Sequence, residues 1–168
     1  MKKSTRTVII IFALLIIATV PIYLYMRQSV GSKDSLQIKG AVSNPLNMTY
    51  SFLKTLTPVT VQVTLTSSKT PADNGVFNFT GIPLSILFEQ VQICENVSSV
   101  YVQAADGYGI TVPIEDVLHN EQAIVAYERN GEPLKSITEG GDGPFRLIIG
   151  TDEYAQRWIR GVAVIEVR

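Results

Sequence analysis

Two pairs, Asp106-Gly107 and Asn130-Gly131, stand 24 residues apart, each between short runs in which apolar and polar residues alternate. Glycine reaches positive φ without a steric penalty, so each pair closes a hairpin and fixes which residues face each other. A chain with two such closures within residues 104–149 is committed there to antiparallel strands joined by short turns. The alternation predicts strands over 98–104 and 110–113 around the first pair, and over 122–129 before the second, with Pro133 just beyond it.

The same pattern extends outward. Residues 59–66, VTVQVTLT, are β-branched and alternating, the clearest strand of the chain. Further strands are expected at 36–42, 76–79, 145–149 and 162–168. Helices are expected at 50–56, where Thr49 can cap the first turn, at 85–91, with Leu84, Leu87, Phe88 and Val91 at 3/4 spacing, and as a turn or two at 114–118. Many short strands with few short helices predict an α+β fold dominated by β, and the order is not the β-α-β alternation of a parallel doubly wound sheet. No Gly-x-Gly-x-x-Gly leads from a strand into a helix, so no dinucleotide site is indicated.

Residues 8–26 form an uncharged run, VIIIFALLIIATVPIYLYM, preceded by Lys2, Lys3 and Arg6. At ~1.5 Å per residue it reaches roughly 28 Å, about the hydrocarbon thickness of a bilayer. It is read as a transmembrane anchor with residues 1–7 in the cytoplasm, following the positive-inside rule, and with Tyr23 and Tyr25 near the outer interface. The other reading, a cleaved signal peptide, fits less well: the run exceeds the usual apolar length of about 7–15 residues, and no small-residue cleavage site ends it. Residues 27–35 are then a linker and 36–168 a domain outside the cytoplasm. A net charge of −1 leaves no basic field for nucleic acid. One cysteine, Cys94, allows no internal disulfide. The sequons at Asn47, Asn78 and Asn96 matter only in a host that glycosylates exported chains.

The joint order of short motifs carries more than any one of them. Leu36-x-Ile38-x-Gly40-x-Val42-x-Asn44-Pro45 is followed by Val63-Thr64-Leu65 and by Thr80-Gly81-Ile82-Pro83-Leu84. Asp106-Gly107-Tyr108, Val112-Pro113-Ile114-Glu115-Asp116, Ala126-Tyr127-Glu128 and Asn130-Gly131-Glu132-Pro133-Leu134 come next. Gly143-Pro144-Phe145-Arg146 and residues 158–167, WIRGVAVIEV, complete the order. It resembles the oxidoreductase molybdopterin-binding domain of the sulfite oxidase family, over roughly residues 36–167. The resemblance implies that family's fold of mixed sheets with short helices, and molybdopterin as the cofactor to look for.

In the family a cysteine directly after the Val-Thr-Leu strand supplies a thiolate to molybdenum. Aligned on Thr64-Leu65-Thr66, that position here is Ser67, a harder ligand with a far higher pKa, so no metal ligand is assigned. The resemblance makes Ser67, Arg146, Arg157 and Arg160 the candidates for cofactor contact, since guanidinium groups suit phosphate. The alternatives are structural: Arg146 as ion-pair partner of Glu128 or Asp142, and Arg160 simply solvated. Tyr108 matches a position that lines the substrate pocket in sulfite-oxidising relatives, where a phenol can donate to an oxyanion; otherwise its ring packs beside the turn. Cys94 reads as a small buried filler at a helix end, His119 as solvated, and the pairs Glu115-Asp116 and Asp152-Glu153 as solvated or helix-start acids.

Three functional readings follow. The first is a membrane-anchored, extracytoplasmic binding or interaction module with no bound molybdenum. The second is a molybdopterin-dependent oxidoreductase acting on a small oxyanion or sulfur compound. The third is a scaffold subunit beside a partner protein in a membrane redox complex.

Overall fold

Residues 35–67 and 73–168 are described by the structure, a computed structural model. The expected cytoplasmic segment, the anchor and residues 27–34 of the expected linker lie outside them, while Ser35, expected to end the linker, begins the first strand. Among the described residues no helix is long and apolar enough to cross a membrane.

Ten strands form two sheets. In the first the order is β2 (Leu46–Thr49), β1 (Ser35–Gly40), β10 (Val162–Val167), β5 (Ser99–Ala104) and β6 (Gly109–Pro113). β1 runs parallel to β10, with Ile38 opposite Ile165, while the other pairings are antiparallel. In the second, β3 (Val59–Leu65) pairs with β4 (Gly75–Pro83) and β4 with β7 (Ala123–Arg129). The far edge of β7 is shared by β8 (Glu132–Pro133) and β9 (Arg146–Ile149).

Burial explains the two kinds of strand. Leu36 and Ile38 in β1, and Val100, Val102 and Ala104 in β5, are buried on alternate positions, as half-covered strands require. β7 buries Ala123, Ile124, Val125, Ala126 and Tyr127 consecutively, and β9 is buried throughout. Such continuous apolar runs mark strands covered on both faces. α2 (Leu84–Val91) follows β4 and buries Leu84, Leu87, Phe88 and Val91, the stripe expected from their spacing. With both sheets these side chains make one core.

The two hairpin turns differ in construction. Asn130 and Gly131 both have positive φ (54° and 83°), the conformation of a two-residue primed turn. At the first hairpin only Gly107 is left-handed (91°), and the Asp106 carboxylate accepts from Tyr108 N at 2.9 Å, so a side chain completes the turn. Gly81 serves a close approach: a Cβ there would lie 2.2 Å from Val125 O, where the β4–β7 register shifts.

Several expectations change. α1 (Tyr50–Leu53) is capped by Thr49, whose Oγ1 accepts from Phe52 N at 3.3 Å, but it is shorter than expected because the chain turns at Lys54. The segment before it, not expected as a strand, pairs with β1 as β2. β4 runs through Gly81-Ile82-Pro83, where only residues 76–79 were expected to be extended, since β7 supplies the pairing. Single turns of 3₁₀ helix at Ile137–Glu139 and Ala155–Arg157 carry no apolar period.

Candidate anion and cofactor site

β9 and the segment that follows it hold most of the candidate residues. After Ile149 the chain turns through the 3₁₀ turn at Ala155–Arg157 and runs back beside β9: Leu147 N donates to Ile159 O at 2.8 Å, and Arg146 bridges Arg160. Trp158 sits under this return, its Nε1 donating to Ile149 O at 3.0 Å. Arg157 therefore belongs to one end of β9, and Arg146 with Arg160 to the other, roughly 10 Å apart at strand spacing.

Ser67 lies at the Arg157 end. Thr66 O, at the end of β3, accepts from Ala155 N at 3.2 Å, which ties the strand to the 3₁₀ turn. Ser67 N donates to Asn74 Oδ1 at 2.7 Å. Arg157 is already matched: Nε donates to Asp152 Oδ2 at 3.0 Å, Nη2 to Asp152 Oδ1 and Nη1 to Asp116 Oδ2. These hydrogen bonds, to Asp152 first and then Asp116, raise its pKa above the ordinary guanidinium value. One cation between two carboxylates gives this three-residue cluster a formal charge of −1. Asp116, in the first turn of α3 (Glu115–Leu118), and Asp152 are thus ion-pair partners, and solvation does not describe them.

The other end is positive. Arg146 is 6 % exposed, with its guanidinium 5.5 Å from the Phe79 ring and 5.9 Å from the Trp158 ring. Its Nη1 donates to Asp142 Oδ2 at 2.5 Å, while Nε is buried with no hydrogen-bond partner among the described residues. Asp142 also lies 3.4 Å from Arg129 Nη1 and 3.5 Å from Arg160 Nη1. Three guanidinium groups around one carboxylate give a formal charge of +2. Desolvation lowers the Arg146 pKa from its ordinary value, and Asp142 opposes that effect. Of the two partners expected for Arg146, Asp142 is the one it has; Glu128 pairs with Lys54 at 3.4 Å. Arg160, expected as solvated, is exposed but keeps its contact with Asp142.

The remaining candidates sit apart. Tyr108 is 61 % exposed, so its ring does not pack beside the turn. Its hairpin approaches the Arg160 end, where Ala105 N donates to Gly161 O at 2.9 Å. Cys94 is exposed, not buried as expected: it leaves α2 after the left-handed Gln92 and only its backbone is held, N donating to Ala41 O at 2.9 Å. His119 is exposed beside α2, along a groove lined by Ser85, Phe88, Glu89, Gln92, Ile93 and Leu118. Arg129 was not among the sequence candidates; its one signal was its place directly before the Asn130-Gly131 turn.

This arrangement of sheets is that of a molybdopterin-binding domain. The chain belongs to the family of the oxidoreductase molybdopterin binding domain, whose model matches residues 26–168. Among solved structures it is similar to the sulfane dehydrogenase SoxCD from Paracoccus pantotrophus, with a TM-score of 0.68 and 22% sequence identity. The likeness covers 81% of this chain and 39% of that one, and at this identity it concerns the fold alone. No curated protein matches the sequence.

Proposed function

We propose that the chain is a membrane-anchored, extracytoplasmic domain of the molybdopterin-binding fold that holds no molybdenum and acts as a binding or interaction module. The observation that carries this reading is Ser67, an alcohol one residue beyond Thr66 at the end of β3, at the position where the family resemblance calls for a thiolate. An alcohol keeps its proton at neutral pH and offers molybdenum a harder donor. The charges support the same reading. Arg157 is held by Asp152 and Asp116, so the Ser67 end opposes an anionic cofactor, and Arg146 is buried against Asp142. A phosphate-bearing pterin would have to compete with Asp142 for Arg146 and with Asp152 and Asp116 for Arg157.

The test is metal analysis of the full chain purified from its own host grown with ample molybdenum. Substoichiometric traces are expected, and near-stoichiometric molybdenum would overturn the reading. Ser67→Cys asks whether the pocket is otherwise competent, because a gain of metal would make the serine the sole obstacle. A second reading, an oxidoreductase acting on a small sulfur compound or oxyanion, draws support from the fold shared with a sulfane dehydrogenase. Co-purification of a redox partner protein would favour the third reading, a scaffold subunit.

A further inference from the structure

Three guanidinium groups share the one carboxylate of Asp142. Oδ2 is shared between Arg146 at 2.5 Å and Arg129 at 3.4 Å, and Oδ1 reaches Arg160 only at 3.5 Å. Arg146 Nε, buried with the rest of that side chain, donates to nothing among the described residues. A buried donor left unmade in a folded protein asks for an explanation. The surrounding loop is held firmly: Gly161 N donates to Asp142 O at 2.9 Å, and Gly143 N to Lys135 O at 2.7 Å. The three cations thus converge on a fixed point from three elements: β7, β9 and the segment that returns beside β9. Planar guanidinium groups converging in this way match a tetrahedral oxyanion, whose four oxygens offer more acceptors than a carboxylate does.

We propose that Asp142 is a resident anion that fills an oxyanion cradle built by Arg129, Arg146 and Arg160, and that removing its carboxylate opens the cradle to sulfate or phosphate. The inference goes beyond the absence of molybdenum and does not depend on it, since it concerns the end of β9 away from Ser67. Its consequence for the native chain is that free oxyanions are excluded from this point by the protein's own side chain.

The experiment compares the full-length wild type with Asp142→Ala, Asp142→Asn, Arg160→Gln and Asp142→Ala/Arg160→Gln. Unfolding is followed by Trp158 emission, with inorganic sulfate or inorganic phosphate titrated against chloride at matched ionic strength. In chloride Asp142→Ala is expected to unfold earlier than wild type. Sulfate and phosphate should raise its midpoint saturably, wild type should show only the unsaturable rise that excluded anions give any protein, and the double variant should bind roughly tenfold more weakly or worse. If Asp142→Ala does not fold in chloride, oxyanion-dependent recovery of folded protein supports the cradle. The proposal is overturned if neither Asp142 variant responds more than wild type, which makes the cluster a purely structural tether. A saturable response of wild type that Arg160→Gln removes overturns it equally, because the cradle would then be open.

Discussion

Removing Arg146 should cost less stability than removing its partner. Arg146→Met keeps an unbranched stem beside Phe79 and Trp158, deletes the unpartnered Nε, and leaves Asp142 with Arg129 and Arg160. The losses are a charged hydrogen bond of about 1.5–3 kcal/mol and cation–π contacts of roughly 0.5–2 kcal/mol. Against them stand the relieved burial of a charge, several kcal/mol, and sulfur–aromatic contacts of about 0.3–1.5 kcal/mol. The net expectation is about 1 kcal/mol of destabilisation. Asp142→Asn instead leaves a buried guanidinium without its counter-charge, for which about 3–5 kcal/mol is typical; because Asp142 is slightly exposed, about 3 kcal/mol is expected. The double variant should fall near 1–1.5 kcal/mol, well short of the ~4 kcal/mol sum, since neither charge is then stranded. Urea unfolding of the full chain in chloride buffer, without sulfate or phosphate, measures all three. Trp158, the chain's single tryptophan, is buried beside Arg146 and reports directly on the region. Additive losses, or an Arg146→Met cost equal to that of Asp142→Asn, would refute the reasoning.

Gly81→Ala drives a Cβ into the Val125 backbone and should destabilise by about 2–3 kcal/mol or more, read as a lowered thermal midpoint; an unchanged midpoint would remove the close-approach argument. Arg157→Gln frees Asp152 and Asp116 at a partly exposed site and should cost only about 1 kcal/mol by urea unfolding. Hydrogen bonds from Ser136 Oγ and N hold the Glu139 carboxyl below the usual carboxylate range. Its contribution is therefore present above the unfolded value and lost as pH falls through the lower folded value. Ser136→Ala should shift the Glu139 titration upward by NMR, and an unmoved curve would deny the capping box a role. Tyr108→Phe should change stability by no more than about 0.5 kcal/mol, because the side chain is largely exposed.

Local chemistry made much of the fold legible. β3 and β5 announce themselves by alternation, α2 by its 3/4 stripe, and both hairpins by glycine pairs whose left-handed backbone the structure contains. β2 and the second half of β4 were not legible, because their extended form comes from partners distant in sequence, β1 and β7. The parallel pairing of β1 with β10 leaves no local trace for the same reason. At the candidate site, Arg146, Arg157, Arg160 and Ser67 could be named from motif order. Their division between the two ends of β9 could not, since it follows from the return of the chain through the 3₁₀ turn. Nor could the joining of Arg157 to Asp116, 41 positions earlier, be read from spacing.

The place of β10 has a consequence for how the chain is made. Among the described strands β10 comes latest in the sequence, yet β1 and β5 both need it, since it lies between them. A ribosome holding residues 162–167 in its exit tunnel holds back the centre of the first sheet, so β2-β1 and β5-β6 wait as separate hairpins with apolar edges uncovered. Contacts so distant in sequence form slowly. A chain cut before Val162 would therefore hold two disconnected fragments of this sheet, a substrate for chaperones and proteases.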